Sequence, residues 1–146
     1  MKISIDIDPK KSDTEIAISC ARLTPEIEKL LATLRILDQQ MTVRKADAVH
    51  LLDISHVIYI EALERTTFVY TKEDVFESDL KLYEMEQQLT DCGFLRVSKS
   101  CLICLKKIRS MRANIDRKIR ITMENGEQII ASRMYADELR KTLGIK

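Results

Sequence analysis

Two hydrophobic periods alternate along this chain. Ile3, Ile5 and Ile7 alternate with polar neighbours, and Ile16 and Ile18 repeat the pattern beyond a polar loop, which predicts a β-hairpin from residues 2–7 and 15–20. The period then lengthens. Thr24 and Pro25 suit an N-cap and a first helical position, Glu26 and Glu28 suit the positive end, and Ile27, Leu30, Leu31, Leu34 and Leu37 fall on one stripe. An amphipathic helix is predicted there, and its stripe needs an apolar partner, either the rest of this chain or another copy.

From residue 41 the pattern is mostly that of strands, predicted over residues 41–44, 49–52, 56–62 and 66–71 from their β-branched and aromatic content. A helix interrupts at about residues 79–89, capped by Ser78, with Leu82, Met85 and Leu89 inward. Gly93 then permits a turn into strands over 94–97, 101–105, 108–111, 118–123 and 128–131, and Asn125-Gly126 is a hairpin signal between the last two. Ser132 suits the cap of a final helix carrying Tyr135, Leu139 and Leu143 on one face and ending at Gly144. Tyr59, Phe68, Tyr83 and Phe94 fall at core spacing. The fold class expected is α+β, mainly β.

The chain has 146 residues, which suffices for one core, or for one domain with a short structured extension. No apolar run approaches the roughly 18 residues that span a bilayer, and the N-terminus lacks a secretory signal, so the cytoplasm is the expected location. The net charge of +1 conceals a division along the chain. Residues 46–91 hold three basic and eleven acidic side chains, whereas residues 96–120 hold nine basic and one acidic. A local positive surface of this size attracts phosphate even on a neutral protein. Charge alone leaves open whether the two segments simply pair with each other.

Cys101 and Cys104 form a lone C-x-x-C, with Cys20 and Cys92 elsewhere and only His50 and His56 as histidines. A zinc ribbon needs a second such pair, and in a strand positions three apart face opposite sides, so buried, inert cysteines in a reducing cytoplasm are expected. His50 and His56 read as edge or packing residues. No Gly-rich phosphate loop, no nucleophile with a plausible base and no metal cluster can be assembled, so neither an enzyme, a cofactor nor a small-molecule substrate is expected.

In order and spacing, Ile58-Tyr59-Ile60-Glu61-Ala62, Tyr83 to Leu89, Phe94 to Ile108, Asn125-Gly126 and Ser132-Arg133-Met134-Tyr135 together resemble the LytTR DNA-binding domain. The resemblance implies an elongated antiparallel β-sheet domain with short helices over residues 46–146, preceded by the hairpin and helix of residues 1–45 as an extension for packing or dimerisation. It implies a bacterial transcription regulator that offers loops, rather than a recognition helix, to successive major grooves of double-stranded DNA. By position it assigns DNA contacts to Lys99 with Ser98 and Ser100, to Arg133, and to the turn holding Arg65 and Thr67. Lys106 and Lys107 are further backbone candidates. Arginine can donate twice to the O6 and N7 of guanine, whereas lysine and serine suit phosphate oxygens.

Ser98 stands where the family often has histidine, and Cys104 where it often has asparagine, which bears on base preference more than on phosphate attraction. Arg96, inside a strand, is expected to pair with a carboxylate, with Glu61 as the partner. The resemblance also implies paired DNA sites, a homodimer at least on DNA, and control by a small inhibitory membrane protein, since 45 residues are too few for a receiver domain. The alternative is a protein- or ligand-binding regulatory module acting through the N-terminal extension. RNA binding is disfavoured because no aromatic pair on a basic strand offers itself to unpaired bases.

Overall fold

A computed structural model describes residues 1–145. Helix α1 (Pro25–Leu37) begins as the sequence predicts, with the Thr24 hydroxyl accepting from the Ile27 amide at 3.3 Å. Strands β1 (Gln40–Lys45), β2 (Ala48–Asp53), β3 (Tyr59–Leu63), β4 (Thr66–Tyr70) and β5 (Val75–Ser78) follow. Helix α2 (Leu82–Leu89) starts later than expected. Ser78 instead holds the Leu80 amide at 3.2 Å, and the Glu84 carboxylate accepts from the Lys81 amide at the true start. Strands β6 (Phe94–Ser98), β7 (Cys101–Cys104), β8 (Ile108–Ala113), β9 (Ile119–Met123) and β10 (Gln128–Ala131) lead to α3 (Arg133–Leu143), which closes on left-handed Gly144.

All strand pairs are antiparallel. A seven-stranded sheet runs β2-β1-β5-β4-β3-β7-β6, and a three-stranded sheet runs β10-β9-β8. The middle of the larger sheet is covered on both faces. Ile60, Val69, Leu102 and Cys104 meet α1 and α2 through Ala32, Ile36, Met85 and Leu89. On the other face Tyr59, Cys101 and Ile103 meet the smaller sheet and α3 through Ile121, Met123, Ala136 and Leu139. Alternation along β7 therefore divides its two cysteines between opposite cores, as the strand period requires.

Four expectations are corrected. The N-terminal hairpin does not form. Residues 1–20 contain no strand, and Ile3, Ile5, Ile7 and Ile16 are 82%, 85%, 85% and 68% exposed, because no layer of this chain covers them and an uncovered two-stranded ribbon is marginal in water. The face of α1 that packs on the sheet is Ala32 and Ile36; the leucine stripe lies beside it, half-buried, and Leu37 is exposed. Tyr83 is also exposed, since the face of α2 that meets the sheet is Leu82, Met85 and Leu89. Strand β1, counted with the extension in the sequence reading, is hydrogen-bonded to β2 and β5, and its Met41 and Val43 are fully buried.

Candidate nucleic-acid interface

Strand order brings three turns to one end of the larger sheet. The β3–β4 hairpin turns at Glu64 and Arg65, and β3 pairs antiparallel with β7 so that Glu61 faces Cys101. The Ala62 amide donates to the Ser100 carbonyl at 2.8 Å, which fixes the β6–β7 turn of Ser98, Lys99 and Ser100 beside the Arg65 turn. A bulge in β6 leaves Val97 without a partner on β7. The Ser132 amide donates to the Val97 carbonyl at 2.9 Å and so seats the start of α3, with exposed Arg133, next to Lys99. Bulges commonly re-aim a chain in this way.

The β6–β7 turn is braced from within the fold. Arg96 donates to the Ser98 carbonyl at 2.8 Å, to the Lys99 carbonyl, and to the Glu86 carboxylate on α2 at 3.0 Å. Its partner is Glu86 and not Glu61, because Glu61 shares the Tyr59 face of the sheet while Arg96 emerges on the α2 side. The Ser98 hydroxyl is engaged inside the turn, accepting from the Ser100 amide at 3.2 Å. Lys99 and Arg133 are exposed and free of ion pairs among the described residues. Ser132 occupies the N-cap position of α3 without a side-chain bond, so Arg133 stands at the positive end of a helix, a place that favours an incoming anion over a resident cation.

A fourth element at this end belongs to the basic segment of residues 96–120, although its residues are not among the contacts that the resemblance assigns. Ile119 pairs with Ala131, so the β8–β9 turn projects at the α3 end of the smaller sheet. Arg112 lies directly opposite Arg120, with Arg117 and Lys118 in the turn itself, and none of the four forms an ion pair among the described residues. Like charges directly opposite each other cost stability unless something anionic joins them. The alternation of buried Ile119, Ile121 and Met123 with exposed Arg120 is the signal that marks Arg120 as outward-facing. Among the described residues only the Arg96–Glu86 ion pair joins the basic segment to the acidic one, so the two segments do not generally neutralise each other.

Other predicted residues lie elsewhere. Lys106 and Lys107 follow β7 at its far end, roughly 13 Å or more from the Lys99 turn at about 3.3 Å per strand residue, and Lys107 pairs with Glu124 at 3.4 Å. Thr67 is only 5% exposed on β4, which removes its hydroxyl from the surface. Cys101 and Cys104 are buried, but Cys92 is half-buried and Cys20 exposed, against the expectation for those two. Burial pushes the Cys101 thiol up to about 12.

A family model described as the LytTr DNA-binding domain matches residues 47–144. An uncharacterized HTH-type transcriptional regulator of Staphylococcus aureus strain MSSA476 is 25% identical over 147 residues, covering 99% of this chain and 99% of its own length. One from strain NCTC 8325 / PS 47 is 24% identical over the same span. Among solved structures, the LytTr DNA-binding domain of a Bacillus cereus chain described as a methyl-accepting/DNA response regulator matches with a TM-score of 0.70 and 27% identity, over 73% of this chain and 98% of that one. Strands separate α1, α2 and α3, so no helix-turn-helix unit exists among the described residues.

Proposed function

The chain belongs to the LytTR DNA-binding domain family, and from that premise we propose that it regulates bacterial transcription by setting turns, not a recognition helix, into major grooves of double-stranded DNA. The observation that carries this reading is the convergence of Arg65, Lys99 and Arg133 on one end of the sheet through the Ala62–Ser100 and Ser132–Val97 backbone bonds. Arg133, exposed on a rigid helix start, is the base reader, able to donate to guanine O6 and N7. Lys99, Arg65 and the hydroxyl of Ser100 serve phosphate oxygens, and Arg112, Arg117, Lys118 and Arg120 extend that path along the backbone.

The reading includes paired DNA sites occupied by two copies, a cytoplasmic location, and restraint by a small membrane protein. Among the described residues no helix is long and apolar enough to cross a membrane. Of residues 1–45, α1 and β1 pack into the core of the larger sheet, and residues 1–24 serve as the extension ahead of it.

Fluorescence anisotropy with random duplex DNA over a salt series tests the core of the proposal. Affinity should fall linearly with salt on logarithmic axes, as counterion release requires, and sequence selection from a random pool should then yield a preferred site. No binding to duplex at low salt, with the chain folded by circular dichroism, would falsify it.

A further inference from the structure

The extension carries many exposed apolar side chains. Ile3, Ile5 and Ile7 are more than four-fifths exposed, Ile16 is 68%, Leu23 59% and Leu37 65% exposed. A groove of about 630 Å³ runs between residues 13–23 and α1, lined by Ile16, Ile18, Leu23, Ile27, Leu31 and Leu34. It is the second apolar stripe of α1, the one not used against the sheet, and the chain's own N-terminal segment covers it only in part.

We infer that this surface, the alternating isoleucines of residues 3–18 together with the Ile27–Leu31–Leu34–Leu37 stripe of α1, is the interface through which two copies of this chain associate before they meet DNA. Three observations select a second copy as the occupant. The exposed apolar residues offer on the order of 800 Å² per chain, beyond the few hundred Å² that a monomer usually leaves open and about what each partner of a stable interface buries. The segments also carry the period of two of a strand while making no ladder bonds, so their amides and carbonyls are free to pair with an identical segment. A patch that is apolar in both an extended segment and a helix stripe complements itself across a two-fold axis, since each copy supplies both halves. Ile3, Ile5 and Ile7 share one face of an extended segment, so that face has six isoleucine side chains to bury when two copies meet.

The interface rests on the extension alone, so its test is independent of the DNA reading. Light scattering after size exclusion should give the full chain a mass near twice 16.9 kDa at tens of micromolar. The double variant Ile3→Asp with Ile5→Asp should be monomeric with an unchanged circular dichroism spectrum, because neither side chain contributes to the core. Leu34→Glu, inside the groove, should act in the same direction. Binding to a single DNA site should be unchanged in the isoleucine variant, while binding to a paired site falls by about tenfold or more, as expected when linkage between two modules is lost. A wild-type chain that is monomeric, or an isoleucine variant that remains dimeric, overturns the inference. Loss of DNA binding by a chain that still dimerises would count against the proposed function and leave the interface standing.

Discussion

Arg96 on β6 reaches Glu86 on α2 at 3.0 Å, and the same guanidinium holds the carbonyls of Ser98 and Lys99. A turn proposed to meet DNA is thus tied to a helix on the far side of the strand, and the Arg96 side chain is only 17% exposed. Lysine keeps the charge but cannot fork to three acceptors. Arg96→Lys should therefore weaken duplex binding by about tenfold, the equivalent of roughly 1.4 kcal/mol, with no change in salt slope. Glu86→Gln, which retains a carbonyl acceptor, should lose less. Anisotropy on one duplex measures both, and wild-type affinity in Arg96→Lys would show that the brace is dispensable.

The segments that carry Arg133 and Lys99 adjoin, and the proposed function gives the two side chains different tasks. If Arg133 reads guanine, Arg133→Ala should lose about 1–3 kcal/mol at a selected site and much less at a scrambled one. Lys99→Ala should weaken both alike and lower the salt slope by about one unit. Equal, salt-independent losses from the two variants would contradict this division.

The Arg112–Arg120 pair across β8 and β9 is an electrostatic cost in the free protein. Replacing Arg112, Arg117 and Arg120 together by glutamine should lower the salt slope by about two to three units and leave discrimination between sites intact. Urea melts of Arg120→Thr alone should show stability equal to or slightly above wild type, by a few tenths of a kcal/mol. A slope that does not move removes this hairpin from the DNA path.

Cys101 and Cys20 should differ sharply in chemistry. Burial raises the Cys101 thiol from 9.0 to about 12, whereas Cys20 is exposed, so alkylation at pH 8 should label Cys20 promptly and Cys101 only on unfolding. Folded Cys101 holds its proton to higher pH than the unfolded chain does. Its contribution to stability is then complete below pH 9 and declines as pH rises toward 12. Burial also raises the hydroxyls of Tyr59 and Tyr70, which adds to the same alkaline loss. Rapid labelling of Cys101 in the native protein would contradict the closed core.

Much of this architecture was legible locally. β-branched content and alternation marked every strand except β5 (Val75–Ser78), Asn125-Gly126 marked the β9–β10 turn, and Thr24-Pro25 marked the start of α1, because caps, turns and alternation depend on neighbours a few residues apart. Lys99 and Arg133 came from the resemblance, whereas alternation in the basic segment turns Arg120 outward but does not give the β8–β9 register that sets Arg112 opposite it. Periodicity showed that α1 carries apolar stripes, but only packing chose Ala32 and Ile36 for the sheet and left the leucines to the extension. The same pattern in residues 2–20 promised a hairpin that needs a covering layer this chain does not supply. Sequence by itself determined the elements and their apolar faces. Tertiary structure decided which turns meet, because the position of β7 between β3 and β6 and the bulge at Val97 are pairings between distant segments, and those are set by the burial of two whole faces at once.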